Sequence, residues 1–455
     1  MLVLSMIIRS VDTFRFYALG TDTFVNLLYS KWLRDGSLRL YKAGKIAYPP
    51  FLPWLLCHLQ NRLSIRVLHL IPKLFDVLTS ISVFLFTLWL SSNDLIALLA
   101  LLIYTFSPIN VINGYGILTR NVGSFFFAFT IMASYVAMFG SQFRYTIFVL
   151  GIATCILMML TSRIAYKTYF ILVTVMAILS ALSSMFFMFL LISLTSLALC
   201  ILITRGKFID DIKGQIFLIN FIRRRRRKGE SVVKRIALVF YNNLWWCTGI
   251  LAILNGASLF LLTWLCTIVA LSFFWPWGEA PRHIALGSAP ASILSALYLF
   301  RQPFMIVPLL LVEIAIICRF SIKVLHGQFL VSVDRNMLSL FKAVKKIENN
   351  SLFLCVPPVY NALVAYFAEK KVLYGEYSNQ EGLLFQAEVL DAIKTQSGLE
   401  ELASRYPVTH LFVDSNNFHF TINSSRWEPV IQGERFMVFR KKPTRKSEKD
   451  CGPSN

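Results

Sequence analysis

Long apolar runs separated by short polar segments fill most of the chain before residue 329. A helix that crosses a bilayer needs about 20 such residues. The run 168–204 is too long for one helix at a rise of about 1.5 Å per residue, so it predicts two helices joined near Ser183–Ser184. With a partial helix at residues 1–8, the pattern predicts a polytopic α-helical membrane protein with about 10–11 transmembrane helices. The other spans are predicted at 67–90, 94–108, 122–140, 144–161, 241–256, 258–276, 286–300 and 303–321.

The segment before the first full span is amphipathic rather than uniformly apolar. Phe24, Leu27 and Leu28 recur at helical spacing with polar residues between them, which predicts a helix lying on the membrane surface. The aromatic, proline-rich stretch Tyr48–Trp54 follows, and Trp and Tyr prefer the membrane interface. We therefore interpret residues 22–66 as a first extracytoplasmic loop with amphipathic helices.

The chain changes character at about residue 329, where charged and amide residues become frequent. About 115 residues suffice for a small α/β domain. The pattern thus divides the chain into a transmembrane domain (1–328), a soluble C-terminal α/β domain (329–443) and a charged, disordered tail (444–455). Strands are predicted at Ser351–Val356, Lys371–Gly375, His410–Val413 and Phe436–Arg440, and helices at Glu388–Ile393 and Leu399–Ala403.

Composition excludes an ordinary soluble protein. Hydrophobic residues make up 56% of the chain and charged residues 15%, and the mean hydropathy is +0.62. Such a chain cannot cover its surface with polar groups and must use lipid as part of its solvent. The net charge of +21 fits orientation charge and contact with anionic lipid headgroups. No nucleic-acid motif accompanies the charge, so we expect membrane lipids and no nucleic acid as partners.

The predicted topology contains a conflict. Counting two helices in 168–204 places Asp22, Arg282, the run Arg223–Arg227 and the C-terminal domain on one side of the membrane. The positive-inside rule would place five consecutive arginines in the cytoplasm. Surface attraction to anionic lipid would explain the run on this side. If 168–204 instead formed one long tilted span, the run and everything after it would change sides, so the side of the run stays open. We predict that Asp22 and the C-terminal domain are extracytoplasmic in a multi-pass cell-membrane protein.

Asp76 lies inside the first full span. An acid in the membrane is costly and is by default a functional candidate. The alternative is that Asp76 pairs with Lys73 or with a neighbouring helix and serves packing.

Four features together resemble a known family. Gly20-Thr21-Asp22-Thr23-Phe24 follows a first helix, and the long amphipathic first loop carries Tyr48-Pro49-Pro50. A late polar loop ends in Pro281-Arg282-His283, and a soluble domain follows the last span. This layout is similar to the GT-C glycosyltransferases, which use polyprenyl-phosphate sugars. The resemblance covers the whole chain as architecture, but only Asp22 and Arg282 as motif positions.

The resemblance implies an inverting glycosyltransferase that moves a sugar from a polyprenyl-phosphate donor to a hydroxyl acceptor on a glycan, lipid or protein. It implies that Asp22 is the general base or a ligand of a divalent metal ion, and it leaves any other cofactor unknown. The developing charge of the donor phosphate needs cations nearby. The candidate phosphate ligands are Arg282, His283, Arg120 and Arg163. The possible second acids are Glu279 and Asp76.

Purely structural roles are the alternatives to these functional ones. An arginine at a helix end often anchors to headgroups, and Glu279 could simply pair with Arg282. The sequence also departs from the oligosaccharyltransferase branch, because Trp245-Trp246 is followed by Cys247-Thr248 and no Asp-x-Asp pair lies in a predicted lumenal loop. Transfer to asparagine is therefore not expected. A multi-span lipid or glycolipid transporter or flippase, or a non-catalytic scaffold, would also explain the spans, but transporters usually show internal repeats.

Overall fold

The computed structural model describes most of the chain. The described residues are 2–16, 18–19, 21–36, 40–42, 50–140, 143–180, 187–214, 216, 243–256, 258–274, 283–326, 332–374, 380–417, 422 and 424–442. The predicted site residues Arg282 and Glu279 lie outside them, as do the run Arg223–Arg227 and the tail 444–455.

The chain forms two compact units. The helical unit contains Met1–Arg34 and Ala47–Asp334, and the α/β unit contains Asp35–Ile46 and Arg335–Asn455. The α/β unit thus takes a short piece of the predicted first loop, which the hydropathy pattern could not indicate.

The helical unit is built from helices of very different lengths. They are α1 (Leu2–Arg9), α2 (Val11–Arg15), α3 (Thr21–Asp35), α4 (Phe51–Leu59), α5 (Ile65–Leu68), α6 (Leu70–Ser91), α7 (Asp94–Thr105), α8 (Pro108–Asn113), α9 (Thr119–Phe139), α10 (Arg144–Met159), α11 (Arg163–Ser180), α12 (Phe187–Ile203), α13 (Lys207–Gly214), α14 (Leu244–Leu251), α15 (Leu259–Phe274), α16 (Ser288–Leu299) and α17 (Ile306–Leu325). The long apolar run therefore forms two helices, α11 and α12, as its length predicts.

Three helical stretches in the described residues are long and apolar enough to cross a membrane. They are Ile65–Ser91, Thr119–Phe139 and Pro303–Leu325. The pair α12 and α13 would make a fourth, although the two helices are bent by 108° relative to each other. The predicted count of about 10–11 also includes shorter apolar helices, and it stays a prediction. The shorter apolar helices are Asp94–Thr105, Arg144–Met159, Leu244–Leu254, Leu259–Phe273 and Ala285–Leu299.

Hydroxyl groups and small residues join helices where apolar packing alone would not specify the contact. The Thr248 hydroxyl of α14 donates to Ser295 Oγ of α16 at 2.8 Å, and Ser295 donates to the carbonyl of Trp245 at 2.5 Å. Side-chain hydrogen bonds of this kind and small residues are typical of helix interfaces within membranes. The small residues buried on α16 are Ser288, Ala289, Ala291, Ser292, Ser295 and Ala296.

Glu313 is a buried acid that the sequence analysis did not single out. It lies on α17, is completely buried, and accepts the Leu244 backbone N–H at 2.8 Å. The first N–H groups of a helix have no acceptor within that helix, and Asn243 makes no side-chain cap for α14. A carboxylate at this end is also favoured by the helix dipole. Glu313 therefore caps α14 from a neighbouring helix.

Two short strands of the helical unit join its beginning to its end. β1 (Ala18–Leu19) pairs antiparallel with β3 (Ser332–Val333). The chain immediately before α3 is thereby held to the chain immediately before the α/β unit.

The α/β unit contains one six-stranded sheet. Its strands are β2 (Leu40–Lys42), β4 (Leu352–Val356), β5 (Lys371–Tyr374), β6 (His410–Asp414), β7 (Trp427–Gln432) and β8 (Phe436–Lys441). The order is β2-β5-β4-β6-β8-β7. The first four strands are parallel, β8 pairs antiparallel with β6, and β7 pairs antiparallel with β8. Its helices are α18 (Arg335–Lys345), α19 (Asn361–Phe367), α20 (Gln380–Ala392) and α21 (Gln396–Arg405).

Apolar packing on both faces explains the burial of the central strands. Every residue of β4 and of β6 is buried, as expected for parallel strands between helices. On one face, Phe341 of α18 stacks on Phe412 of β6, with ring centroids 6.1 Å apart. On the other face, Leu354 and Val413 pack with residues of α20 and α21 such as Val389 and Leu402. The unit is therefore a three-layer α/β fold with its own core.

Candidate active site

Asp22 lies in the first turn of α3, beside the first turn of α9. Its Oδ2 is 3.6 Å from an Arg120 side-chain nitrogen, so the structure brings together two residues that the sequence places 98 positions apart. The Asp22 side chain is 39% exposed and that of Arg120 is 27% exposed. A half-exposed ion pair contributes about 0–1 kcal/mol to stability. The pair therefore leaves an accessible carboxylate next to an accessible guanidinium.

Buried hydrogen bonds fix the starts of α3 and α9 relative to each other. Thr23 Oγ1 accepts the backbone N–H of Ile117 at 2.7 Å and donates to the Leu19 carbonyl at 2.5 Å. Asn26, one turn further along α3, donates from Nδ2 to the Ile117 carbonyl at 2.9 Å. Both side chains are completely buried. The segment 115–118 that leads into α9 is thus held by α3, which explains how Asp22 and Arg120 are kept side by side.

Gly116 is needed for this arrangement. Its φ is +90°, and a Cβ added there would lie 2.6 Å from the Leu19 carbonyl oxygen and 2.9 Å from Thr23 Oγ1. Its own N–H donates to Asp12 Oδ2 at 3.2 Å. A side chain at this position would separate α3 from the segment before α9.

We expect Gly116→Ala to lower both stability and activity. Positive φ alone costs a non-glycine residue about 1–2 kcal/mol, and the clash with Leu19 and Thr23 adds to that. Gly36→Ala is the matched control, because Gly36 has φ +67° but nothing within 4 Å of an added Cβ. Thermal unfolding in detergent should show a larger loss for Gly116→Ala than for Gly36→Ala. Equal losses would mean that close packing at Gly116 is unimportant.

Arg163 lies at the start of α11, close to the first turn of α9. A Cβ at Gly123 of α9 would lie 2.3 Å from Ser162 Cβ, so the residue before Arg163 packs directly on α9. Gly123 is one turn beyond Arg120 and shares its helix face. Arg120 and Arg163 therefore flank the same helix junction.

Asp211 is a partner of Arg163 that sequence reasoning missed. It lies on α13, forms an ion pair with Arg163 in which both side chains are largely buried, and accepts the Tyr166 hydroxyl at 3.3 Å. The sharp bend between α12 and α13 turns α13 back toward α11. An acid soon after a long apolar run was the available signal, but only the bend shows which arginine it meets.

His283 is completely buried, and its Nδ1 is 2.8 Å from Thr168 Oγ1 of α11. Its described contact is thus with the protein interior. The histidine ties the end of the segment that carries Arg282 to α11, while Arg282 and Glu279 themselves lie outside the described residues.

Asp76 belongs to a network of buried charges rather than to the exposed pair. It is paired with Arg9 of α1, and Tyr104 of α7 donates to its Oδ1 at 2.9 Å. Lys73, which was the alternative partner, instead pairs with Asp12 of α2. Arg9 and Asp12 lie in a stretch that hydropathy analysis treats as a partial helix and its polar end.

The described residues contain no group of three or more His, Cys, Asp or Glu side chains that could hold a metal ion. In that part of the chain, Asp22 faces a guanidinium rather than a second carboxylate. The described donor set around Asp22 therefore does not fit a metal site made of several protein ligands.

Comparison with known proteins gives similarity in structure only. No protein-family model and no curated protein matches the chain. Among solved structures, ArnT from Cupriavidus metallidurans in the apo state is 12% identical, with a TM-score of 0.69 and 96% of each chain covered. The same protein bound to undecaprenyl phosphate gives a TM-score of 0.65 at 12% identity, again covering 96% of each chain.

An archaeal protein shows the same similarity. AglB, the oligosaccharyltransferase from Archaeoglobus fulgidus, in complex with an inhibitory peptide and a dolichol-phosphate, is 14% identical with a TM-score of 0.57. The match covers 91% of this chain and 69% of that one. ArnT and AglB are both GT-C glycosyltransferases. The chain therefore has the fold of the GT-C glycosyltransferases, as its sequence predicts.

Proposed function

We propose that this protein is an inverting glycosyltransferase that moves a sugar from a polyprenyl-phosphate donor to a hydroxyl acceptor. The observation that carries the proposal is the accessible Asp22–Arg120 pair on a GT-C fold. A base for the acceptor and a cation for the leaving phosphate are the two groups that this reaction needs.

Asp22 acts as the general base in the proposed reaction. As the acceptor oxygen attacks the anomeric carbon, the hydroxyl proton passes to a carboxylate oxygen of Asp22. The bond between the anomeric carbon and the phosphate oxygen breaks with its electron pair, so the polyprenyl phosphate leaves as an anion. Because attack and departure occur on opposite faces of the sugar, the configuration is inverted.

Arginine side chains stabilise the leaving phosphate. Arg120 is next to Asp22, and Arg163 lies across the junction between α9 and α11, where Asp211 holds its guanidinium. Charge-assisted hydrogen bonds to phosphate are about twice as strong as neutral ones. Arg282 stays a proposed phosphate ligand. His283, buried against Thr168, would anchor the chain next to it.

The lipid part of the donor is proposed from the neighbours. ArnT was solved with undecaprenyl phosphate and AglB with a dolichol-phosphate, so both bind polyprenyl phosphates. AglB has also been solved tethered to an acceptor peptide. For the present chain the acceptor class stays open among glycans, lipids and proteins. We place Asp22 and the α/β unit on the extracytoplasmic side of a multi-pass membrane protein, with the shorter apolar helices counted as spans.

The test is transfer of labelled sugar by the full-length protein in lipid nanodiscs. Undecaprenyl-phosphate and dolichyl-phosphate sugars are offered with a membrane extract as the source of acceptors. We expect transfer with inversion at the anomeric carbon. Binding of polyprenyl phosphate without transfer, together with its movement between the leaflets of vesicles, would instead support the transporter alternative.

Replacing Arg120 should weaken use of the donor. Arg120→Gln removes charge-assisted hydrogen bonds worth about 1.5–3 kcal/mol, so kcat/KM for the donor should fall about 10–100-fold. Arg144→Gln is the matched control, because Arg144 is exposed in the first turn of α10, beyond the far end of α9. The measurement is initial rate against donor concentration. Equal effects of the two substitutions would show that Arg120 only anchors to headgroups.

A further inference from the structure

The α/β unit has a topological switch point that the proposed reaction does not use. From β4 the chain crosses to β5 on one side, and from β5 it crosses back over β4 to β6 on the other side. The carboxyl ends of the parallel strands β4 and β6 are adjacent. The chain leaves β4 toward β5 and leaves β6 toward β7, which lies on the other side, so the two connections run in opposite directions. In open α/β sheets, ligands bind in the crevice at such a point.

Asn361 lies at this edge and lacks the partners that a buried amide needs. It follows β4, is 1% exposed, and neither its Oδ1 nor its Nδ2 has a hydrogen-bond partner. An unsatisfied buried polar group costs about 1–3 kcal/mol. The buried amide of Asn26, for comparison, also has an unpartnered Oδ1, but its Nδ2 donates to a carbonyl. The fold therefore keeps a donor and an acceptor ready at the end of β4.

A second polar group stands at the end of β6. Asp414, completely buried, accepts the Tyr360 hydroxyl at 2.6 Å and two Arg435 nitrogens at 3.0 and 3.1 Å. Burial, together with the hydrogen bond to Asp414, raises the pKa of Tyr360, so this hydroxyl remains a neutral donor. The cluster fixes a charged, planar guanidinium at the sheet edge.

Arg435 still has donors to offer. Its bonds to Asp414 and Tyr360 use Nε and one terminal nitrogen, which leaves the two N–H groups of the other nitrogen. The side chain is 52% exposed, and its guanidinium lies 4.9 Å from the centroid of the Phe436 ring. Tyr360 packs edge-on against the same ring at 5.3 Å. Arg435 thus keeps free donors while its guanidinium is held against the Phe436 ring.

The backbone of this edge indicates the class of ligand. The segment after β4 begins with Pro357 and Pro358, which have no N–H, so the first two amides that a phosphate cradle would use are missing. A neutral ring carrying many hydroxyls can accept from Arg435 and both donate to and accept from an amide.

We propose that the edge formed by Asn361, Asp414 and Arg435 binds a neutral sugar ring. No step of the proposed reaction uses these three residues, which all belong to the α/β unit.

The test is binding of methyl glycosides of glucose, galactose, mannose and N-acetylglucosamine, measured by saturation-transfer difference NMR. The full-length protein is held in lipid nanodiscs, so that no sugar-based detergent competes. At least one glycoside should bind, and inorganic phosphate should not displace it. Arg435→Gln should weaken binding about tenfold or more, the loss of roughly one hydrogen bond to a charged group. Arg426→Gln, which removes another exposed, ion-paired arginine of the unit, should leave it unchanged.

Two further variants separate the possible failures. Asn361→Leu should unfold at the wild-type temperature or above, because it removes an unsatisfied amide, yet it should lose glycoside binding. Asp22→Asn should bind glycosides like wild type, so that binding is tested even if no transfer is found. Absence of binding by wild type, or equal binding by Arg435→Gln and Arg426→Gln, would overturn the proposal. So would unchanged binding by Asn361→Leu, which would mean that the amide only holds a buried water.

Discussion

Asp22→Asn is expected to lower the rate of sugar transfer by about 10²–10⁴-fold, the usual contribution of a general base. The amide is nearly isosteric with the carboxylate but cannot accept the acceptor's proton. Because Asp22 is 39% exposed and its contact with Arg120 is 3.6 Å long, folding should be almost unaffected. The measurement is the transfer rate at saturating donor, with thermal unfolding recorded on the same samples.

The chain offers a matched control for this variant. Asp94 is exposed and lies in the first turn of α7, as Asp22 does in α3. Asp94→Asn therefore removes the same favourable interaction with a helix dipole, about 0.3–1 kcal/mol, without touching the candidate site. It should transfer sugar at the wild-type rate. If Asp22→Asn and Asp94→Asn transferred equally well, the base would have to be another residue.

Asp76→Asn is expected to destabilise the protein by about 3–5 kcal/mol, the cost of leaving a buried charge without its partner. The unpaired charge would be the guanidinium of Arg9, which is completely buried. The Tyr104 hydroxyl would also lose a carboxylate acceptor. Unfolding in a denaturing detergent should therefore occur much earlier than in wild type. Asp210→Asn, at an exposed acid, should change unfolding by less than about 0.5 kcal/mol.

A double variant distinguishes packing from catalysis at Asp76. Replacing both partners with apolar residues, as in Arg9→Met with Asp76→Leu, should restore much of the lost stability, because a buried ion pair can often be exchanged for apolar side chains. If Asp76 serves packing, the double variant should also recover transfer activity. Restored folding with no activity would instead support the interpretation of Asp76 as a second acid.

Much of the helical architecture is visible in the sequence because apolar periodicity is a local property. The expected runs at 67–90 and 122–140 correspond to Ile65–Ser91 and Thr119–Phe139. The predicted strands at 351–356 and 410–413 correspond to β4 and β6, whose central residues are apolar because both faces are covered. β2 escaped prediction, since three residues of a polar loop become a strand only by pairing with β5.

In the candidate site, the sequence identifies individual residues but not the pairs that they form. Asp22 could be singled out because a short motif surrounds it, and Arg120 because it begins a span. That these two meet, and that Arg163 meets Asp211 and Asp76 meets Arg9, depends on contacts between residues 48 to 98 positions apart. A charge in an apolar interior must find a partner to offset its desolvation, but sequence spacing does not say which one.

Alone, the sequence determined the apolar helices, the change to an α/β domain and the position of the candidate base, because each follows from residues close together in the chain. Tertiary structure decided which cation faces that base, which acids are committed to buried pairs, and where the sheet brings Asn361 and Arg435 to one edge. Those choices depend on helix packing and strand order, which bring distant residues together to satisfy buried charges and hydrogen bonds.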